Sequence, residues 1–250
     1  MSKEGRVCFV SVDVEHDVGT GANKEFHGVT EMDKILRIFK KFEIPLTLFV
    51  TGDVLQKYSD EGKKWAEEYE IASHSYSHRF LNELSDSERR EDTRQFLELY
   101  QRIFHLRPSG FRAPSHIIDT EALKVLEEYG FIYDSSVVPH YPPFKKYRGY
   151  KERAPREPYR TGNIIEIPVS GQIFGLPLAG AWIAGLPSLL YEILFTLYAP
   201  DFLTLSVHSW DVLRDEAFYS KLEKVLLMLK QKRYIFKKGI EIANEFLSKN

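Results

Sequence analysis

Strand-like apolar runs alternate with helical segments along most of this 250-residue chain. Val7 to Asp13 is a valine-rich run, and residues 46–50 and 202–208 are apolar runs of the same kind. Thr30 to Phe42 and Ser85 to Phe104 instead repeat apolar residues at helical spacing. Consecutive parallel strands need a connection that crosses the sheet, and a helix is the usual one. The alternation therefore predicts an α/β fold with a parallel sheet or barrel.

Two of the helical segments carry start signals. Thr30 is a residue type that commonly caps a helix N-terminus. Ser85 and Glu88 have the spacing of a capping box, in which each side chain satisfies a backbone N–H at the helix start. We therefore expect helices to begin just after Thr30 and just after Ser85.

Composition narrows the function classes. Apolar residues make up 43% of the chain, enough for a sizeable core, and the formal net charge is −2 with no basic block. This charge pattern argues against nucleic acid as a partner. Cys8 is the single cysteine, so no internal disulfide forms, and the strand-like start of the chain does not read as a signal peptide. We expect one domain over residues 1–250, in the cytoplasm or at the inner face of the membrane.

Ionisable residues stand at or just after the ends of the strand-like runs. They are Asp13 with Glu15, His74 with His78, Arg112, Asp134 and His208. In parallel α/β folds the carboxyl ends of the strands meet at one edge, where functional groups collect. A charged group at the end of a buried strand is costly unless it is paired or binds something. Solvated turns explain single residues of this kind, whereas a shared site explains the whole set.

The two histidines of this set suggest a metal site. His74 and His78 are four residues apart, so on a helical turn both rings lie on one face and can bind the same ion. Such a pair by itself also fits two unrelated exposed histidines. Asp13, Glu15 and Asp17 fall on one side of an extended chain and add carboxylates.

The ordered motifs resemble those of the polysaccharide deacetylases, the family-four carbohydrate esterases that share the nodulation-protein-type deacetylase homology domain. The matching motifs are Asp13/Glu15, His74-Ser-Tyr-Ser-His78, Arg112-Ala-Pro114, Asp134 and Leu205-Ser-Val-His208, together with the strand-like stretch at residues 46–52. The resemblance spans Val7 to Asp211. It implies a distorted (β/α) barrel with seven parallel strands and a divalent metal ion, usually zinc.

The resemblance also implies which residues hold the metal and which remove a proton. A metal on two histidines and one carboxylate polarises the amide carbonyl and activates a water molecule. His74 and His78 would be two of the ligands, and Glu15 or Asp17 would be the third. Asp13 would be the base that takes the proton of the water.

The remaining motif residues have supporting roles in the same family pattern. Arg112 would pair with the base and orient it. His208 would protonate the leaving amine, and Asp134 would fix the tautomer of His208. A backbone N–H, near Tyr76 and Ser77 or elsewhere in the chain, would help to hold the negatively charged oxygen that develops on the substrate.

Two motifs depart from the usual family pattern. Val14 separates Asp13 from Glu15, whereas the family has two adjacent aspartates at this place. The last motif is His208-Ser-Trp210-Asp211, whereas many members have histidine followed by Asp. With these departures and the glycine- and proline-bearing apolar stretch upstream of the last motif, the chain resembles a branch linked to exopolysaccharide synthesis.

The predicted activity is removal of the N-acetyl group from an N-acetylated amino sugar by a metal-dependent hydrolase. In the exopolysaccharide branch the sugar would be lipid-linked or nucleotide-linked. Two alternatives stay open: hydrolysis of another linear or cyclic amide C–N bond, and a non-catalytic carbohydrate-binding barrel.

Two stretches fall outside the motif pattern. Residues 135–162 contain five prolines, several tyrosines and a basic cluster, and they fit either a plain surface loop or a sugar-contacting segment. Residues 176–199 are mostly apolar, with Glu192 as their charged residue. They fit a buried loop and helix, or a helix that makes peripheral contact with a membrane.

Overall fold

A computed structural model of the chain describes residues 5–18, 24–139, 154–169 and 178–249. In chain order its strands are β1 (Val7–Val14), β2 (Thr47–Val50), β3 (Glu70–Ser73), β4 (Gly110–Phe111), β5 (Tyr133–Asp134), β6 (Tyr159–Thr161), β7 (Ile164–Glu166), β8 (Phe202–His208) and β9 (Ile235–Lys237). Its helices are α1 (His27–Thr30), α2 (Met32–Lys41), α3 (Gly52–Lys57), α4 (Ser59–Ala66), α5 (Asp86–Phe104), α6 (Thr120–Glu128), α7 (Gly180–Gly185), α8 (Ser188–Leu197), α9 (Phe218–Gln231) and α10 (Gly239–Lys249).

The chain forms two compact units, each made of discontinuous stretches. The first contains residues 1–46 and 170–238, and the second contains residues 47–169 and 239–250. Neither unit is a continuous piece of sequence, so the single domain over residues 1–250 stays a prediction.

Strand β1 organises the sheet of the first unit. It pairs in parallel with β8, from Val7 opposite Phe202 to Asp13 opposite His208, and in parallel with β9. Every residue of β1 after Val7 is buried. This burial explains why the strand reads as a continuous apolar run instead of an alternating one.

The second unit contains a sheet in the order β2-β3-β4-β5-β7-β6. These strands run parallel up to β7, and β6 pairs antiparallel with β7. Helix α6 buries Ala122, Leu123 and Leu126 in a core cluster that also contains Phe111 and Phe131. The apolar face of α6 thus shares a core with Phe111, the last residue of β4, which directly precedes Arg112.

The α/β class of the fold is confirmed, and each of the seven predicted strands has a counterpart in the structure. The predicted strand count is too low, because the described residues also form β6 and β9. The expectation of parallel strands alone fails at β6. Both additional strands are three residues long, which is too short for a recognisable hydrophobic period.

One of the two predicted helix starts is correct. Ser85 accepts a hydrogen bond from the N–H of Glu88, and the Glu88 side chain accepts one from the N–H of Ser85, which completes the capping box of α5. Thr30 is instead the last residue of α1, where its hydroxyl donates to the carbonyl of His27. Helix α2 therefore begins at Met32 without the predicted cap.

The two stretches outside the motif pattern have different outcomes. The basic cluster near residues 145–153 lies outside the described residues. Within residues 176–199, α8 buries Tyr191 and Leu194, as a packed helix would, but it exposes Leu189, Ile193 and Leu197. None of the helices in the described part of the chain is long and apolar enough to cross a membrane.

Strand β4 depends on a close approach that only glycine permits. A Cβ atom on Gly110 would lie 2.0 Å from the Tyr133 ring. That ring is fully buried, and its hydroxyl donates to Glu70 at 2.9 Å, so it has no room to move aside.

We predict that Gly110→Ala lowers the free energy of unfolding by about 1–3 kcal/mol, the usual range for overpacking a core. Urea denaturation followed by circular dichroism measures this change. Gly185→Ala is the matched control, because a Cβ atom at Gly185 meets no atom within 4 Å. Equal stability of the two variants would contradict the predicted clash.

Candidate active site

In the first unit an acid and a histidine face each other at the ends of paired strands. Because β1 and β8 are in parallel register, Asp13 lies opposite His208. The Nε2 atom of His208 lies 3.9 Å from an Asp13 carboxylate oxygen. Asp13 is only 2% exposed, whereas the His208 side chain is 21% exposed. The pair combines a buried carboxylate with a histidine that solvent can reach.

Trp210 connects this pair to Glu15. Its indole N–H donates to a carboxylate oxygen of Glu15 at 2.7 Å. Its ring stacks on that of His208, with the ring centres 4.4 Å apart and an angle of 17° between the planes. The Arg214 guanidinium also lies over the Trp210 ring, 4.6 Å from its centre. Trp210 therefore restrains both the Glu15 carboxylate and the His208 ring.

Asp211 is the carboxylate that contacts the Nδ1 atom of His208. The Nδ1 atom of His208 lies 3.2 Å from a carboxylate oxygen of Asp211, which also accepts the backbone N–H of His208 at 2.7 Å. This contact orients the His208 ring, and the role predicted for Asp134 stays a prediction. Asp211 is fully buried, and a Cβ atom on Gly180 would overlap its carboxylate.

The charges around His208 favour its protonated form. Burial by itself lowers the pKa of His208, but the carboxylates of Asp211, Glu15 and Asp13 outweigh burial and raise the pKa to about 9. Opposite charges at this range stabilise the charged form of an imidazole. His208 therefore carries a proton at neutral pH.

Asp17, the alternative to Glu15 as a metal ligand, binds the backbone at the start of α1. One of its oxygens accepts the backbone N–H of His27 at 2.8 Å and lies 3.0 Å from the Nδ1 of the same residue. The other oxygen accepts the N–H of Gly28 at 3.0 Å. Both oxygens of this buried carboxylate thus fix the start of α1.

In the second unit the two predicted histidine ligands lie beside each other. His74 follows β3 directly and is buried, and its ring centre is 5.2 Å from that of His78. The Nδ1 atom of His74 contacts the carbonyl oxygen of Arg112 at 2.8 Å. Because a carbonyl oxygen only accepts hydrogen bonds, Nδ1 carries the proton and Nε2 keeps its lone pair.

The histidines are brought together by a loop, so the expected helical turn is wrong. Residues 74–78 contain no helix, and Ser75 and His78 have φ angles of 64° and 57°. The backbone N–H groups of Tyr76 and Ser77 donate to the two carboxylate oxygens of Asp92 at 2.8 and 3.0 Å. These two groups are therefore engaged, which argues against the oxyanion role suggested for this region.

Arg112 is a fully buried arginine held in a defined position. Its Nε atom donates to the Ser135 carbonyl and its Nη2 atom to the Ser135 hydroxyl, both at 2.9 Å. Its guanidinium lies 4.1 Å from the centre of the Phe49 ring. The pairing of Arg112 with the base Asp13 stays a prediction.

Asp134 belongs to a buried acid pair with Glu166, its register partner on β7. Its carboxylate accepts the hydroxyl of Ser136 at 2.7 Å and the N–H of Ser136 at 3.2 Å. Burial raises the pKa of Asp134, and burial together with the Asp134 charge raises that of Glu166 well above its usual range. Burial of the two neighbouring carboxyl groups therefore disfavours the charged form of both.

Four residues of these clusters were not predicted as site residues. Asp92, Glu166, Trp210 and Asp211 each hold a predicted residue or its loop in place. Glu166 is the one with a clear sequence signal, because an acid inside the run Ile164-Ile-Glu166-Ile is costly unless paired.

Comparison with known proteins finds similar sequences over about half of the chain. Residues 17–133 match the family model for polysaccharide deacetylase. A peptidoglycan deacetylase-like protein of Gibberella zeae is 30% identical over 118 residues, which are 46% of this chain and 35% of that protein. A peptidoglycan deacetylase of Helicobacter pylori is 25% identical over 127 residues, which are 50% of this chain and 42% of that protein. The matches thus span less than half of each curated relative.

Solved structures share the fold along almost the whole chain. A Mycobacterium smegmatis protein assigned as a polysaccharide deacetylase has a TM-score of 0.72 at 19% identity, with 100% of this chain and 93% of that chain covered. An allantoinase has a TM-score of 0.72 at 18% identity, with 99% and 92% covered. A CE4 family pseudoenzyme from Bacillus anthracis has a TM-score of 0.65 at 13% identity, with 97% and 66% covered.

These identities show the fold alone, whereas the family model and the curated relatives match the sequence itself. Over these residues the chain is similar in sequence to the polysaccharide deacetylases.

Proposed function

We propose that this protein is a metal-dependent hydrolase that removes the N-acetyl group from an N-acetylated amino sugar. The observation that carries the proposal is the chemistry of one donor set. Glu15, His74 and His78 supply one carboxylate and two imidazoles, residues of the kind that could hold a metal ion. Two histidines and a carboxylate form the ligand set of hydrolytic zinc sites, which keep an open coordination position. We therefore propose zinc as the metal.

The hydrogen bonds of these residues support the same assignment. The Nδ1–H of His74 is bound to a backbone carbonyl, which orients the ring and leaves Nε2 as the donor atom. Glu15 is the better third ligand, because both carboxylate oxygens of Asp17 already accept backbone N–H groups. The Trp210 indole would orient Glu15 from outside the ligand set.

A bound metal would polarise the acetyl carbonyl and lower the pKa of a water molecule. Asp13 takes a proton from the attacking water molecule as the water oxygen bonds to the acetyl carbon. Arg112 orients Asp13. His208 then donates its proton to the amide nitrogen while the C–N bond breaks. The products are acetate and the free amine of the sugar.

The environment of His208 suits a general acid. A histidine can donate a proton only if it holds one at the working pH, and the pKa of about 9 meets this condition at neutral pH. Asp211 keeps the ring oriented through Nδ1, so that Nε2, the atom that faces Asp13, is the one that donates.

The substrate is tested with a panel that covers the open alternatives. We propose that the substrate is a lipid-linked or nucleotide-linked N-acetylated sugar. A sugar in the panel is identified as a substrate if the protein releases acetate from it. The allantoinase fold similarity makes a cyclic amide the second candidate, so the panel includes allantoin. Release of acetate from an N-acetylated sugar supports the proposal, whereas ring opening of allantoin without acetate release overturns it.

We predict that Asp13→Asn lowers the rate of acetate release by about 100- to 10,000-fold, because the amide cannot accept the proton of the water. The content of bound metal should stay unchanged, since Asp13 is outside the proposed ligand set. Acetate assays together with elemental analysis of the same sample check both points. Full activity of the variant would show that another group is the base.

We predict that His78→Asn lowers the metal affinity by more than about 100-fold. Loss of a residue that only hydrogen-bonds to a ligand costs up to about 100-fold, and loss of a ligand itself should cost more. Asparagine tolerates the left-handed backbone of His78, so the loop is preserved. His105→Asn is the matched control, because His105 has the same φ of 57° and is exposed. Titration with Zn²⁺ measures both variants, and equal affinities would remove His78 from the site.

We predict that Asp211→Asn moves the alkaline limb of the pH–rate profile downward by about 1–3 pH units. In the native protein, activity should fall as the pH rises through about 9, where His208 loses its proton. The variant lacks the carboxylate charge that stabilises this proton, so the proton is lost at a lower pH. A profile of kcat/KM against pH tests this, and an unchanged alkaline limb would rule out the role of Asp211.

A further inference from the structure

Helix α8 in the first unit exposes an apolar stripe. Leu189, Ile193 and Leu197 are 61%, 48% and 69% exposed, and their four-residue spacing places them along one side of the helix. The opposite side is buried through Tyr191 and Leu194. Exposed large aliphatic side chains in a continuous row mark an interaction surface more often than single ones do.

The polar residues of α8 lie to one side of this stripe. At about 100° per residue, Glu192 and Thr196 fall on the edge next to Leu189, and both are exposed. The solvent-facing half of α8 is therefore itself divided into an apolar stripe and a polar edge. This arrangement suits a helix that lies at a boundary between water and an apolar medium.

Aromatic and basic groups accompany the stripe. Trp182 in α7 and Tyr198 just after α8 are 36% and 42% exposed. Rings of this kind, with a polar atom on an apolar body, favour the level of the lipid headgroups. The exposed Lys224 lies beside the first turn of α8, with its ammonium 3.4 Å from the Ser188 hydroxyl. A cation at this place complements an anionic lipid surface.

The size of the stripe argues against a second protein chain as its partner. A stable protein interface uses about 20–30 residues on each side, and a stripe on a ten-residue helix provides far fewer. Insertion into a bilayer surface has no such requirement, because each apolar side chain gains by leaving water. The helix is too short to cross the bilayer and would lie in the plane of its surface.

We propose that the α8 stripe, formed by Leu189, Ile193 and Leu197, binds the surface of an anionic lipid bilayer. The stripe enters the boundary between headgroups and acyl chains, while Glu192 and Thr196 stay toward the water. This inference is independent of the proposed hydrolase activity, because it rests on residues outside the candidate active site.

The test is flotation of the full chain with phosphatidylcholine vesicles that contain about 30% phosphatidylglycerol. The phosphatidylglycerol gives these vesicles a negative surface potential. We expect the native chain to float with these vesicles, and to float less with phosphatidylcholine alone. The double variant Leu189→Ser/Ile193→Ser should bind at least about tenfold more weakly, because binding scales with buried apolar area. Leu106→Ser is the matched control, since Leu106 is 66% exposed and belongs to the second unit.

Three outcomes would overturn the proposal. They are failure of the native chain to float, flotation of the double variant at the native level, and an equal loss of binding in Leu106→Ser. Sedimentation velocity without lipid tests whether the stripe instead binds a second copy of the chain. That partner would be assigned if the native chain forms a dimer and binds no vesicles, and if the double variant is a monomer. Thermal melts of the variants verify that the exposed substitutions leave the fold intact.

Discussion

The parallel register of β1 and β8 is the constraint on which the arrangement of Asp13 and His208 depends. It sets Asp13 opposite His208, and the turn that follows β8 then brings Trp210 and Asp211 back onto the same pair. A shift of one residue in this register would turn each side chain to the other face of the sheet. The apolar residues that alternate with Asp13 in β1 are fully buried, so the hydrophobic effect that packs them also fixes the position of the acid.

Burying this many ionisable groups is possible because each has a specific partner. Glu15 accepts the Trp210 indole, Asp211 accepts the His208 backbone, and Arg112 is held by Ser135. Unpaired groups of this kind would each cost several kcal/mol or would lose their charge. Asp134 and Glu166 tend toward the second course, since burial raises the pKa of both carboxyl groups. The partners thus decide which acids remain charged and available for chemistry.

Sequence patterns predicted the parts of the fold that follow from periodicity and local chemistry. The long buried strands and the Ser85–Glu88 capping box were found because their signals lie within a few residues. The loop of residues 74–78 was mistaken for a helical turn because it is held by Asp92, a residue on a distant helix. The contact of Asp211 with the Nδ1 of His208 is also a tertiary feature, because spacing along the chain does not show which acid reaches that atom. Tertiary contacts decided each of these cases.

The contact between Gly180 and Asp211 restricts how this chain and its relatives can vary. A side chain at position 180 would occupy the space of the Asp211 carboxylate, and any shift of that carboxylate would release the His208 ring. The start of α7 and the last motif should therefore change together in evolution. Relatives that place an acid three residues after the histidine should keep glycine at the corresponding helix start. Relatives that draw this acid from another strand should be free to place a larger residue there.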